Sequence, residues 1–181
     1  NDDVYGIKKW GNDILEILEN GNIGLKNPFH PDNSPADLIK IIKSLNERGI
    51  SCPVLLRVTD YLAFRIKQIN NSFFRAIREI KYKGEYKGVF PVKVNQQAQV
   101  IDRIVEFGKE FDFGLEVGSK PELLIALAHD LSANSTIICN GIKDREFIHL
   151  AILSIKIGFK TILVLESPRE LDLIIKISKE L

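Results

Sequence analysis

The sequence predicts an α/β protein: the N-terminal half of a (β/α)8 barrel, preceded by a small β-hairpin element that belongs to a β domain. Three observations carry this. From Tyr86 onward, short apolar runs alternate with amphipathic helical patterns at a spacing of roughly 25 residues, which suits βα units with short loops. The apolar runs are continuous, as expected of parallel strands buried on both faces. The first strand-to-helix turn, Val94-Asn95-Gln96-Gln97, has no glycine, whereas the competing doubly wound sheet usually places a Gly-rich turn there. A full barrel needs eight units in about 250 residues. Four are present, so the expectation is half a barrel.

Composition narrows the class. The 181 residues are 45% hydrophobic and 27% charged, which excludes a disordered or collagen-like chain. Lys and Arg number 25 against 24 Asp and Glu, so no charge bias points to nucleic acid or an anionic membrane. The most apolar stretch, Phe147–Leu165, is interrupted by His149, Lys156 and Lys160 and does not read as a membrane span. Secretory leader features are absent. Cys52 and Cys139 make neither a disulfide framework nor a four-ligand zinc site; both read as reduced, buried thiols of a cytoplasmic protein. The chain opens on Asn1 without a Met and stops inside a helical pattern at Leu181, so it reads as a fragment.

Residues 1–33 read as a β-hairpin element and linker. Val4–Trp10 and Asp13–Leu18 look strand-like, and Asn20-Gly21 before Ile23-Gly24-Leu25 is a strong hairpin signal. So few strands must pack on other sequence. Asn27–Asn33, with Pro28 and Pro31, reads as the linker. Residues 34–85 read as a helix–strand–helix lead-in. Ser34 is the expected N-cap, with Pro35 at the first helical position and Asp37 in the first turn. Leu38, Ile41, Ile42 and Leu45 form one apolar face, and Gly49 supplies the stop. Cys52–Val58 reads as a buried strand. Asp60 would cap a second helix with the stripe Leu62, Ile66, Ile69, Phe73, Ile77 and Ile80. Its Arg65, Lys67, Arg75 and Arg78 read as a solvated face rather than a binding patch.

Residues 86–181 hold the four βα units. The expected strands are Gly88–Val94, Phe113–Val117, Thr136–Cys139 and Thr161–Leu165. The expected helices are Gln97–Lys109, Lys120–Leu131, Asp144–Ile157 and Arg169–Leu181. Barrel chemistry sits at the carboxyl ends of strands, and polar groups collect at all four. Lys93, between Val92 and Val94, is the sharpest: a lysine in a buried strand is either paired or functional. A desolvated amine turns nucleophilic, as a Schiff-base lysine requires. The plainer readings are a lysine that snorkels out, or one paired with Glu116 on the next strand. Glu116 could hold that amine, answer a cationic cofactor ring, or form a plain ion pair. Asn140, Ser119 and Lys143 are candidate lining; Ser119 is equally an N-cap with Glu122 as its capping-box partner. His30, His129 and His149 are scattered, and no metal site is expected from this segment.

Three colinear runs resemble the biosynthetic arginine decarboxylases, pyridoxal-phosphate enzymes with an alanine-racemase-like barrel. They are Gly88-Val89-Phe90-Pro91-Val92-Lys93-Val94-Asn95-Gln96-Gln97, Phe113 to Leu124, and Ile138 to Glu146. Phe90 and Val92 stand where that family often has Tyr and Ile. Tyr5-Gly6-Ile7 with Trp10-Gly11 also looks like the family's start. The resemblance implies that Lys93 carries pyridoxal 5'-phosphate covalently, with Glu116 near the cofactor. It implies decarboxylation of L-arginine to agmatine and CO2 in polyamine (putrescine and spermidine) biosynthesis. It further implies magnesium at an unspecified site, homo-oligomers with active sites at subunit interfaces, and chains several times longer. The family's phosphate loop, its partner for the pyridine nitrogen and its guanidinium-binding groups would then follow residue 181, leaving this segment alone inactive. The alternatives are a non-catalytic regulatory homologue, or another barrel enzyme of the same cofactor, such as a diaminopimelate decarboxylase or a racemase.

Overall fold

The turn signals near the N-terminus produce a three-stranded antiparallel sheet. The protein is described here by a computed structural model covering residues 2–181. It separates into two compact units, Asn1–Phe64 and Arg65–Leu181.

In the first unit, β1 (Leu15–Ile17) pairs with β2 (Ile23–Leu25) through the expected hairpin, with Gly21 at φ +83. Only glycine adopts that backbone at little cost. β3 (Ala36–Asp37) adds to β2, pairing Leu25 with Ala36 and Gly24 with Asp37. That pairing overturns the expected helix start. Ser34 and Pro35 are drawn into the approach to β3, and Asp37 becomes the N-cap of α3 (Leu38–Glu47). Its carboxylate accepts from the N–H groups of Ile39 (2.9 Å) and Lys40 (3.2 Å). Leu38, Ile41, Ile42 and Leu45 form the half-buried face of α3, on the side the pattern assigned, although none is fully buried. The helix closes at Gly49 (φ +79), with the N–H of Ile50 bonded to Leu45 O.

Two expectations fail in this unit. Val4–Trp10 is not a strand: α1 (Asp2–Tyr5) and α2 (Ile7–Trp10) are single helical turns broken at left-handed Gly6, and Trp10 Nε1 donates back to Tyr5 O. Cys52–Val58 forms no strand either, and Cys52 is exposed rather than buried. The apolar run is there, but among the described residues no strand pairs with it, and Leu55 stays 73% exposed. The unit ends within α4 (Thr59–Glu79), where Asp60 lies inside the first turn rather than at the cap.

The second unit holds the βα series. β4 (Val89–Pro91), β5 (Gly114–Val117), β6 (Thr136–Cys139) and β7 (Lys160–Leu163) form a parallel sheet in strictly sequential order. The order never reverses, so right-handed crossovers place the connecting helices on one side, as in a barrel and unlike a doubly wound sheet. Those helices are α5 (Ala98–Gly108), α6 (Lys120–Leu127) and α7 (Arg145–Lys156), and α8 (Pro168–Glu180) follows β7. α6 stops short of the expected Leu131 because Ala128 and the His129 ring take its last carbonyls.

Burial on both faces holds for β5 alone. β6 alternates buried with half-buried residues, and β7 alternates half-buried with exposed ones. β4 and β7 are end strands, each with one neighbour among the described residues. The core is aliphatic, with Val92, Ile101, Leu115, Leu123, Ile137 and Ile148 all fully buried. Each such side chain stabilises the fold by about 1.5–3 kcal/mol relative to exposure. On α4 the stripe is only partly covered: Ile66 is buried, while Ile69, Phe73 and Ile80 are exposed, although Phe73 stacks on Tyr86 at 3.8 Å.

Candidate active site at the carboxyl ends of the strands

Pairing of β4 with β5 runs Val89 to Gly114, Phe90 to Leu115 and Pro91 to Glu116, and ends there. Pro91 has no N–H to extend a ladder, and the chain closes a 3-10 turn over Val92–Val94. This corrects the expectation of a buried strand through Lys93. Val92 turns inward and is fully buried, while Val94 is exposed and the Lys93 side chain is 64% exposed. The amine stands at the rim, reachable from solvent.

Glu116 lies opposite Pro91 on β5 and level with Ile138 on β6. Its side chain is 9% exposed, and its Oε1 is 3.9 Å from Lys93 Nζ. That separation is an ionic contact but too long for a hydrogen bond. Neither oxygen of Glu116 receives a hydrogen bond from a described residue. Leaving a buried acceptor unsatisfied costs about 1–3 kcal/mol, and more when it is charged. The structure therefore brings together the two residues the sequence singled out, and leaves one with open acceptor capacity beside an accessible amine.

Ser119 is the cap of α6: its hydroxyl accepts from Glu122 N at 3.4 Å. Glu122 reaches back to Gly118 N (2.8 Å), one residue before the cap, and accepts from Gln96 Nε2 (3.2 Å). The loop that follows Lys93 is thereby tied to the loop that follows Glu116. Asn140 anchors its own loop, with N–H to Val117 O (2.8 Å) and Oδ1 accepting from Gly141 N (3.1 Å).

Lys143 is not lining. Its side chain is completely buried, 3.1 Å from Glu170 Oε2, and it also donates to Gly141 O. Glu170 accepts further from Lys143 N and Glu166 N, both at 2.9 Å. Burial raises the Glu170 pKa, but those two backbone bonds and the Lys143 amine outweigh it and hold the carboxyl below its ordinary value. Glu170 escaped the sequence reading, although Ser167-Pro168-Arg169-Glu170 repeats the spacing of Ser119-Lys120-Pro121-Glu122. Cys139 is buried as expected, and burial pushes its thiol up to about 12, which leaves it inert near neutrality. Among the described residues no group of three His, Cys, Asp or Glu is placed to hold a metal ion, and no helix is long and apolar enough to cross a membrane.

Lys93, Glu116 and the loops around them stand together at the strand ends, and comparison with known proteins gives the class of the chain. Residues 66–181 match the family described as pyridoxal-dependent decarboxylase, pyridoxal binding domain. The chain belongs to that family. It is 46% identical over 178 residues to a biosynthetic arginine decarboxylase of Prochlorococcus marinus (strain MIT 9312), covering 98% of this chain and 27% of the relative. The same-named protein of Gloeobacter violaceus is 44% identical over 179 residues, covering 99% and 28%. Among solved structures, the biosynthetic arginine decarboxylase of Campylobacter jejuni superposes with a TM-score of 0.88 at 36% identity, covering 98% of this chain and 29% of that one. A diaminopimelate decarboxylase from M. jannaschi gives 0.62 at 22% identity, covering 94% and 34%, and shares the fold. The chain thus spans little more than a quarter of the curated relatives it matches. The expected barrel architecture is borne out.

Proposed function

We propose that the complete enzyme decarboxylates L-arginine to agmatine and CO2 for polyamine synthesis, with pyridoxal phosphate held on Lys93. The observation that carries this is the pairing of an accessible Lys93 amine with a buried Glu116 carboxylate that lacks hydrogen-bond donors. It occurs at a strand end of a chain whose relatives of 43–46% identity are named arginine decarboxylases. The open acceptors of Glu116 and the exposed amine fit a covalently held aldehyde cofactor that brings its own polar atoms.

When bound, pyridoxal phosphate supplies an electron sink for the pair left behind as CO2 departs. Lys93 Nζ is the nucleophile that holds it covalently. Glu116 Oε1 orients that amine from 3.9 Å and can hold a proton released from Nζ. Glu122 ties the loop after Lys93 to the loop after Glu116, through Gln96 and Gly118. Magnesium and homo-oligomeric assembly, which the resemblance implies, and a cytoplasmic location, which the cysteine content suggests, belong to the same proposal.

The test is substrate discrimination by the complete enzyme loaded with pyridoxal phosphate. Carboxyl-labelled arginine should release labelled CO2 with stoichiometric agmatine, while diaminopimelate and ornithine release none. Release from diaminopimelate but not arginine would reassign the enzyme. No release from any amino acid would favour the regulatory homologue.

A further inference from the structure

The ion pair of Lys143 and Glu170 is more deeply enclosed than any ion pair at the strand ends described above, with the lysine side chain 0% and the glutamate 6% exposed. Lys143 follows β6 by four residues and Glu170 lies in the first turn of α8, so the pair joins two successive loops at the barrel mouth. Between them, Gly141 N donates to both Asn140 Oδ1 and Glu166 Oε1 at 3.1 Å, and Gly141 O accepts from Lys143 Nζ. Glu166 N in turn donates to Glu170. Asn140 and Glu166, the polar residues at the ends of the third and fourth strands, are therefore held by one closed set of bonds centred on the pair.

That set reaches the Lys93 loop. Asn140 N donates to Val117 O at 2.8 Å, and a Cβ built on Gly141 would sit 3.4 Å from Gly118 O, so the two strand ends are bonded and Gly141 lies close beside Gly118. Gly118 N is held by Glu122, and Glu122 holds Gln96, two residues beyond the turn that carries Lys93. A well-packed apolar pair of similar volume usually stabilises a core as well as a buried ion pair does, so stability alone does not call for these charges. Their geometry fixes loop positions, which apolar groups do not.

We propose that Lys143 and Glu170 are a positioning pair: they set the strand-end loops, with Asn140 and Glu166, in the arrangement that the cofactor and substrate meet. This rests on the pyridoxal-phosphate reading above. The pair acts before any cofactor arrives, and its effect reaches Lys93 through Gly141, Gly118, Glu122 and Gln96.

The test uses the complete enzyme with Lys143→Met, Glu170→Gln, and the double variant Lys143→Met/Glu170→Met. Three quantities are read: pyridoxal phosphate affinity of the apo-enzyme by absorbance titration, kcat and KM for arginine at saturating cofactor, and amide exchange at Gly141, Lys143 and Glu166. Each single variant should weaken cofactor affinity and lower kcat by about tenfold to a hundredfold, with KM changing less, and should speed exchange at those three amides. The double variant should recover the melting temperature while affinity and kcat stay low. Folded single variants with unchanged affinity and kcat overturn the proposal. So does a double variant that regains affinity together with stability, since packing would then suffice. If a single variant fails to fold, the double variant decides on the same readouts. Failure of the cofactor reading shows separately, as absence of cofactor binding by the unmodified enzyme.

Discussion

The Lys93 ammonium stands 3.9 Å from a Glu116 carboxylate that no described residue hydrogen-bonds. The two differ sharply in environment: the lysine side chain is mostly exposed and the glutamate is enclosed by β5 and its neighbours. An accessible amine thus faces a carboxylate held in place by its burial, and the buried member is the one that sets geometry.

Glu116→Gln tests that division of roles. The amide keeps the shape and loses the charge that orients the amine. In the complete enzyme kcat should fall by about 10²–10⁴-fold, the range of a lost acid–base partner. The melting temperature should hold or rise, because a buried charge without donors is replaced by a neutral group. Unchanged kcat would show that Glu116 has no part in the reaction.

Lys93→Ala should abolish covalent cofactor attachment and lower decarboxylation by several orders of magnitude, measured as CO2 release. Lys93→Arg should not rescue it, since a guanidinium stays protonated. Lys87 and Lys120 are the controls. Lys87 is engaged with Asp112 at 2.9 Å, and Lys120 with Asp144 at 2.9 Å and Glu146 at 2.6 Å. Replacing either should leave attachment intact.

Gly114→Ala should destabilise the sheet. A Cβ there would fall 1.9 Å from the backbone oxygen of Thr136, which cannot swing aside as a side chain would. Overpacking of this kind costs about 1–3 kcal/mol or more, and the thermal midpoint of the complete enzyme should drop accordingly. A midpoint equal to that of the unmodified protein would contradict the close approach of β5 and β6.

Asp37 should give stability a pH dependence. Hydrogen bonding from Asn22 leads the causes that lower its carboxyl from 3.8 to about 2, against an opposing push from burial. The folded value lies below the unfolded one, so the contribution is fully present above 3.8 and is lost as pH falls through about 2. Asp37→Asn keeps a capping side chain without the charge. The melting-temperature gap between the two proteins should be widest above that window and close within it. A gap that is constant with pH would count against the assignment.

Residues 1–181 expressed alone should self-associate and bind hydrophobic dyes, because Ile142 (88%), Leu55 (73%) and Ile80 (73%) stand exposed. Light scattering that shows a monodisperse monomer with a cooperative melt would mean these surfaces need no cover.

The barrel units were legible because each strand and helix follows from local pattern. Thr136–Cys139 forms as read, and α5, α7 and α8 fall within a residue of the expected starts. Elements that depend on distant pairing were not legible. Ser34 has every local qualification for an N-cap, yet the pairing of Gly24 with Asp37 and Leu25 with Ala36 moves the cap to Asp37. Cys52–Val58 has strand composition and no strand partner among the described residues. At the site, Lys93 and Glu116 were visible as charges misplaced in apolar runs. The exposure of Lys93 was hidden because the strand stops at Pro91, and the Lys143–Glu170 pair was hidden because it closes only when two loops fold together.

Cofactor attachment at Lys93 can be read directly from the covalent bond. The complete enzyme should be incubated with pyridoxal phosphate, reduced with borohydride, digested, and its phosphopyridoxyl peptide sequenced by mass spectrometry. One labelled site is expected, at Lys93. A label at Lys120 or Lys143, or no label at all, would contradict it.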